Sequence, residues 1–295
     1  MTGRFTHFLA VDWSGARGPR QKGIALAVAL AEGGPPVLVA PPHPAGWARA
    51  EVLALLCDLP GATLVGLDLG IGLPHADAGA FFPGWDASPA DARGLWALID
   101  RLCAADPHGE AGGFVTHPEA SRYFRHGAGA TGDRFLLPGA VTREGRFRVA
   151  EAAQRAQGVR PVSNFNLVGA AQVGKSSLTG MRMLHRLAGR VPVWPVDPLP
   201  AEGSVVTEIY TAMAARLGGV RGGATKLRSF EALNDALAAL GSPPVPGTGP
   251  IDDHASDALL TAAWLRRVHG ERDLWHPPTL TPEVARTEGW TFGAL

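Results

Sequence analysis

Acidic side chains stand at the ends of several apolar segments of this sequence. Asp12 ends the segment FTHFLAVD, Asp68 directly follows ATLVGL, and Glu208 lies near the end of SVVTEIY. Short apolar segments bounded by small or turn-forming residues are typical of buried β-strands. Ligand and catalytic groups gather beyond the carboxyl ends of the strands in open α/β sheets. We therefore expect Asp12 and Asp68 to face each other if their strands are neighbours.

Two further aspartates lie near the start of the last long predicted helix. Asp253 and Asp257 are four residues apart, so they share one face of that helix. Acids in the first turn also complement the helix dipole, and this capping role is the alternative for Asp252 and Asp253. It explains Asp257 less well, because that residue lies a full turn inside an apolar helix. His254 is either a proton shuttle or an ordinary polar residue at the helix start, and the second is favoured.

Carboxylates that converge in this way need compensation. Two unit charges about 4 Å apart repel each other by about 4 kcal/mol at an effective dielectric constant of 20. Either protons or a divalent cation must offset that repulsion, and oxygen-only ligands favour Mg²⁺ or Mn²⁺ over zinc. Two such ions commonly serve phosphodiester hydrolysis, in which one activates water and the other stabilises the leaving oxygen. The acidic residues therefore favour a metal-dependent hydrolase.

Four short motifs resemble those of a known protein family. They are VDWSGA at 11–16, LVGLDLGIGLP at 64–74, VVTEIY at 205–210 and DDHASDALLTAAWL at 252–265. Together they resemble the family called domain of unknown function 429, which is regarded as a family of predicted nucleases with the ribonuclease H-like fold. The last motif is also similar to the final helix of Holliday-junction resolvases, which supplies metal ligands.

The resemblance implies a role for each matching acid. Asp12 would be the central ligand that bridges two metal ions, and Asp68 and Asp257 would complete the site. Asp253 or Glu208 would assist, and whether Glu208 is a ligand or a structural acid stays open. The same superfamily includes sugar kinases and ATPases, so a nucleotide-dependent kinase or ATPase is the enzyme alternative.

The segment 169–176 satisfies the pattern GxxxxGKS of a phosphate-binding P-loop. A true P-loop needs an apolar strand directly before it, and the preceding residues PVSNFNLV are too polar for a clear one. We favour a different interpretation, in which Gln172, Lys175 and Ser176 hold a substrate phosphate opposite the metals. A solvated loop and helix start is the remaining alternative.

The charges of the chain are unevenly distributed. Residues 117–190 carry 12 basic side chains against 4 acidic ones, whereas the whole chain has 27 of each. This asymmetry predicts either a basic surface for an acidic substrate or a solvated face that balances an acidic body. We expect Arg122, Arg125 and Arg148 to bind phosphate. The aromatic residues among these arginines either stack on bases or, as we favour, form a small core; they are Tyr123, Phe124, Phe135 and Phe147.

Hydrophobic periodicity predicts the elements that would position these side chains. We expect an α/β fold with a ribonuclease H-like, mixed, five-stranded sheet flanked by helices, and a large inserted cap. Residues 1–74 and 191–295 would form the core, and residues 75–190 the basic cap. The predicted strands are Phe5–Asp12, Lys22–Leu30, Pro36–Ala40, Ala62–Leu67 and Ser204–Tyr210. The main predicted helices are Trp47–Leu59, Pro89–Ala105, Val149–Gln157, Lys226–Leu240 and Asp253–His269.

Composition excludes several classes of protein. The chain has 295 residues, of which 46% are hydrophobic and 18% charged, so it is neither disordered nor a coiled coil. Cys57 and Cys103 are the only cysteines, which excludes a disulfide scaffold and a thiolate zinc site. No apolar stretch is long enough for a signal peptide or a membrane span. We expect a cytoplasmic protein with no membrane partner; the sequence predicts no oligomeric state.

These observations lead to one expected function and two alternatives. We expect a metal-dependent nuclease or phosphodiesterase that uses Mg²⁺ or Mn²⁺ on a nucleic-acid or nucleotide substrate. The kinase or ATPase is the first alternative. A nucleic-acid-binding module without catalysis, in which the acids are structural, is the second.

Overall fold

A computed structural model describes residues 3–127, 130–140, 142–169, 173–220 and 226–295 of the chain. They form an α/β fold around a mixed six-stranded sheet of order β3-β2-β1-β4-β6-β5. The strands β1, β2 and β3 are antiparallel neighbours, whereas β4, β6 and β5 run parallel to β1. Their bounds are β1 His7–Asp12, β2 Ala25–Leu30, β3 Gly33–Val39, β4 Thr63–Asp68, β5 Val193–Trp194 and β6 Val205–Glu208.

The sheet has one strand more than the sequence predicted. The additional strand, β5, has only two residues and lies at the edge of the sheet beside β6. Pro192 and Pro195 flank it, and prolines in sheets are confined to edges and strand ends because they cannot donate to the ladder. The edge position agrees with these prolines, but the count of five strands was wrong.

Helices cover both faces of the sheet. Strand residues alternate between the faces, so Leu9 and Val11 pack on one side while Phe8 and Ala10 pack on the other. Helices α1, α2 and α5 lie on the first side and α8 on the second. The bounds are α1 Arg49–Cys57, α2 Ala92–Leu102, α3 Gly112–Thr116, α4 Val149–Ala156, α5 Val173–Leu187, α6 Thr211–Leu217, α7 Phe230–Ala239, α8 Asp253–Val268, α9 Arg272–Trp275 and α10 Pro282–Thr287.

The segment 75–190 shares its hydrophobic core with the sheet. Leu95 and Leu184 belong to the same buried cluster as Leu9 and Val11 of β1. Of the four aromatic residues that the sequence left open, Tyr123, Phe124 and Phe135 are buried in that cluster, as favoured, whereas Phe147 is half-buried outside it and lies under the guanidinium of Arg155. The packing on this face is therefore continuous, and the division into a core and a cap stays a prediction.

No helix among the described residues combines the length and the apolarity needed to cross a membrane.

Candidate active site

The register of the sheet brings two of the predicted acids together. Asp12 and Asp68 are partners across the parallel strands β1 and β4, at the carboxyl end of each strand. Because partners in register share a face, both side chains belong to the face that α8 covers. Neighbouring parallel strands lie about 4.8 Å apart, so the two carboxylates are held close by the backbone itself.

Helix α8 adds the third acid of this group. Asp252 caps the helix, since its side chain accepts hydrogen bonds from the backbone N–H groups of His254 and Ala255. Asp257 follows one turn later, on a helix that packs against β1. We call Asp12, Asp68 and Asp257 the aspartate cluster.

The aspartate cluster is electrostatically strained. Burial and the charge of Asp12 raise the pKa of Asp257 to about 7. Burial, followed by the charges of Asp12 and Asp257, raises the pKa of Asp68 well above its usual range. Burial also raises the pKa of Asp12, although a hydrogen bond from His254 opposes the shift. Burial is therefore the main cause of all three shifts, and the charge of Asp12 makes the ionisation of Asp68 and Asp257 more costly still.

His254 is the direct partner of Asp12. Its Nδ1 lies 2.8 Å from Oδ2 of Asp12, and with the carboxylate as acceptor the ring nitrogen is the donor. This hydrogen bond raises the pKa of His254. The side chain is 43% exposed and faces a cavity. The sequence favoured an ordinary helix-start residue here, but the structure places the ring against the central acid.

Asp253 lies outside the aspartate cluster. Its carboxylate pairs with Nζ of Lys226 at 2.8 Å and with Nε of Arg228 at 3.0 Å. These partners, the hydrogen bond from Lys226 foremost, lower the pKa of Asp253. The predicted ligand is therefore already neutralised by two cations. Neither Lys226 nor Arg228 belongs to a recognisable motif, so their pairing with Asp253 could not be predicted.

Glu208 faces the other side of the sheet. It pairs in register with Leu67, the residue before Asp68, so the two acids lie on opposite faces. Both Glu208 oxygens accept hydrogen bonds: Oε2 from the backbone of Ile71 at 2.8 Å, and Oε1 from the hydroxyl of Thr291. Its main partner is Arg148, with which it forms a bidentate ion pair. This geometry makes Glu208 a structural acid.

Arg148 has no donor left for a substrate. Its guanidinium pairs with Glu208 at 2.5 and 2.7 Å and with Glu151 at 2.6 and 2.9 Å, and Nη1 also donates to the backbone oxygen of Glu288 at 3.1 Å. The side chain is 1% exposed. The prediction that Arg148 binds phosphate therefore needs correction, because all five N–H donors serve the fold. We call Arg148, Glu151 and Glu208 the arginine cluster.

Most other arginines of the basic segment also have structural partners. Arg122 pairs with Asp133 at 2.7 Å and with Glu119 at 3.1 Å. Arg125 is exposed and stays available for phosphate. The remaining engaged arginines are Arg134, Arg146, Arg155, Arg182 and Arg186. Half of the twelve basic side chains of the segment therefore form ion pairs, and Arg134 donates to a backbone oxygen instead.

A cavity of about 350 Å³ opens beside the carboxyl ends of the strands. Asp68 and His254 line one part of it, and Lys175 and Ser176, in the first turn of α5, line another. Two of the predicted phosphate-binding residues therefore share a cavity with a member of the aspartate cluster. The third, Gln172, lies outside the described residues.

Close backbone packing holds the loop after β1 against α5. A Cβ atom on Gly15 would lie 2.4 Å from the backbone carbon of Lys175 and 2.5 Å from the nitrogen of Ser176. Buried Arg49 fixes the other side of the loop by donating to the backbone oxygens of Ser14 and Ala16. The loop that follows Asp12 is therefore positioned directly beside the Lys175 side of the cavity.

The surroundings of Lys175 differ from those of a P-loop. Residues 161–169 contain no strand, only an isolated bridge at Asn166. Gly174 and Lys175 lie in the first turn of α5, as they would in a P-loop, so the difference is in the segment that precedes them. The strand that a P-loop requires directly before its glycine-rich turn is thus missing from the described residues.

The described residues hold no group of three or more His, Cys, Asp or Glu side chains already arranged to hold a metal ion. One oxygen of Asp12 is engaged with His254. The donor set of the aspartate cluster is nevertheless of the oxygen type that Mg²⁺ and Mn²⁺ prefer. The chemistry of the residues therefore fits such an ion, although their side chains do not form a closed ligand shell.

A comparison with protein families found no matching family, and neither the curated proteins nor the solved structures that were searched contained a match to this chain.

Proposed function

We propose that the protein is a metal-dependent phosphodiester hydrolase that acts on a nucleic acid or a nucleotide. The aspartate cluster carries this proposal. Burial raises the pKa of each of the three carboxyls, and the charge of Asp12 raises the pKa values of Asp68 and Asp257 further. His254 and Lys226 oppose the rise at Asp12. A divalent cation would offset the remaining repulsion.

The fold supports the same proposal. Three antiparallel strands come first, and the parallel strand β4 then pairs with β1 and brings Asp68 beside Asp12. This is the neighbour relation expected from the resemblance to ribonuclease H-like nucleases. The free cysteines Cys57 and Cys103 agree with a reducing compartment, which supports the cytoplasm as its location.

Each residue then has a defined task. Asp12, Asp68 and Asp257 would hold Mg²⁺ or Mn²⁺, which when bound supplies activation of water and stabilisation of the leaving oxygen. His254 orients Asp12 through its Nδ1 and is placed to hold a proton at the edge of the cavity. Lys175 offers a cation for a substrate phosphate within the same cavity. Glu208 and Arg148 act only through the structure that they maintain.

Hydrolysis of bis(p-nitrophenyl) phosphate and of short oligonucleotides with Mn²⁺ tests the proposal. Asp12→Asn should reduce the rate at least about 100-fold, because metal ions supply several kcal/mol to such reactions. Asp235→Asn is the matched control, since Asp235 is exposed on α7 and should leave the rate unchanged. Metal-independent binding of nucleic acid without any hydrolysis would instead indicate the binding module.

A further inference from the structure

A buried amide without a partner faces the cavity. Gln154, in the last turn of α4, is 2% exposed and belongs to the cavity wall. Its backbone oxygen accepts a hydrogen bond from Val159 at 3.0 Å. Within the described residues its side-chain amide has no hydrogen-bond partner, although Arg148 and Glu151 at the other end of the same helix are fully paired.

The amide is open to a ligand in the cavity. Its nitrogen and oxygen are not among the fully buried polar atoms that lack a partner, so they keep contact with the cavity and can bond to a ligand without breaking a hydrogen bond of the protein. An amide presents one acceptor and two donors side by side, which matches the paired donor and acceptor on the edge of a nucleobase. Gln154 therefore has the chemistry of a recognition group.

The rest of the cavity completes this chemistry. Lys175 contributes a cation, Asp68 belongs to the proposed metal site, and Pro161 and Val162 form an apolar part of the wall. The arginine cluster also lines the cavity, but its charges are paired with one another. The volume of about 350 Å³ is at the small end of ligand pockets, which typically measure about 300–1,000 Å³. A single nucleotide unit is of suitable size, whereas a base-paired duplex is not.

We infer that the cavity is a specificity pocket for one nucleotide of the substrate. Gln154 recognises the edge of the base by its amide, and Lys175 binds the phosphate close to Asp68. The choice of a nucleotide rests on the function proposed above, but the recognition step is separate from hydrolysis. The inference makes Gln154 a specificity-determining residue, and it predicts that a target nucleotide must be unpaired to enter.

Titration calorimetry with the four 5′-ribonucleoside monophosphates and their deoxy forms tests this inference. These probes contain no diester bond, so binding is measured without turnover. At least one base should bind more tightly than the others, and Gln154→Met should weaken its binding about tenfold and reduce the discrimination. The loss should be the same in Mg²⁺ and in EDTA, because the amide is not among the proposed metal ligands. Lys175→Gln should weaken all bases alike.

Gln157→Met is the matched control. Gln157 lies at the end of the same helix, but its amide bonds to the backbone of Gly293 and Leu295 outside the cavity. This variant should bind as the wild type does, and thermal unfolding checks that both variants fold. Equal affinities for wild type and Gln154→Met, or no binding of any monophosphate, would overturn the inference.

Two further arms identify the source of the nucleotide. A single-stranded tetranucleotide that binds like the monophosphate, while its duplex does not, indicates an unpaired nucleotide within a strand. Binding of the monophosphate alone indicates a free nucleotide. If Gln154→Met loses its preference between bases and the wild type hydrolyses no diester, the result supports the pocket and contradicts the hydrolase. If the wild type hydrolyses diesters and Gln154→Met does so equally well and with the same base preference, the result supports the hydrolase and contradicts the pocket.

Discussion

Two groups of buried charge meet at the same cavity, which Asp68 and the arginine cluster both line, and their charges are compensated differently. The arginine cluster surrounds one guanidinium with two carboxylates and satisfies every N–H donor of Arg148 within the fold. In the aspartate cluster, burial raises the pKa values of all three carboxyls, and the charge of Asp12 adds to the rise at Asp68 and Asp257. Carboxylates that a buried arginine neutralises stabilise the fold, whereas carboxylates whose charge is not neutralised by the protein can bind a cation from solution.

Arg148→Met should have the largest effect on stability. The variant removes the guanidinium that pairs with both Glu208 and Glu151. Breaking a buried ion pair in this way costs about 3–5 kcal/mol. At roughly 2 °C per kcal/mol, the midpoint of thermal unfolding should fall by about 6–10 °C. Arg122→Met, which breaks solvent-exposed ion pairs, should lower the midpoint far less. Equal losses in the two variants would contradict a special role for the arginine cluster.

Gly15→Ala tests how tightly the loop after Asp12 packs against α5. The added methyl group would collide with backbone atoms of Lys175 and Ser176, which cannot move independently. Overpacking of this kind costs about 1–3 kcal/mol, and chemical denaturation should show the loss. Gly127→Ala is the control, because nothing lies within 4 Å of its added Cβ. If Gly15→Ala were as stable as the control, the close approach would not hold in solution.

The pH dependence of stability should reveal the aspartate cluster without any substrate. The folded-state pKa of Asp257 is raised to about 7, so folding favours its protonated form. Its contribution to stability is therefore complete below about pH 4, its unfolded range, and is lost as the pH rises through about 7.

In EDTA, Asp257→Asn should abolish that loss. At pH 8 we expect the variant to be more stable than the wild type by on the order of 1 kcal/mol, a few degrees in the midpoint, after allowance for solvent screening. At pH 4 the two proteins should unfold together, because the wild-type carboxyl is then protonated like a neutral amide. A variant that is less stable at pH 8 would show that the charge of Asp257 is already compensated.

Asp253→Asn should have the smallest effect. Its ion pairs with Lys226 and Arg228 are partly exposed, and such pairs contribute about 0–1 kcal/mol. The loss should shrink further in 0.5 M NaCl, because salt screens surface charges. A large loss of unfolding free energy that does not depend on salt would contradict this assignment and indicate that Asp253 acts with the aspartate cluster.

The sequence predicted the parts of the site that depend on local pattern. Asp12 and Asp68 end apolar strands, and that pattern predicted that they face each other if their strands are neighbours, a relation that only the structure shows. The face of Glu208 follows from strand alternation once the register is known. Glu208 pairs with Leu67, which precedes Asp68, so Glu208 and Asp68 point to opposite faces. No local sequence pattern gives that register.

Long-range pairing could not be predicted. Arg148 bonds to Glu208 across 60 residues and to the backbone of Glu288 across 140, and nothing in the sequence near Arg148 indicates these partners. Asp253 was likewise predicted to be a metal ligand, because the sequence does not show that Lys226 and Arg228 pair with it. The two-residue strand β5 is too short for any periodicity to indicate.

The direct test of the unbalanced acids is thermal unfolding at pH 8 with and without Mn²⁺. A ligand at about a hundred times its dissociation constant stabilises the folded protein by about 2.7 kcal/mol, which is roughly 5 °C here. We predict that this rise occurs in the wild type and in Asp253→Asn and disappears in Asp12→Asn. An equal rise in Asp12→Asn, or no rise in any of the three, would contradict a metal site in the aspartate cluster.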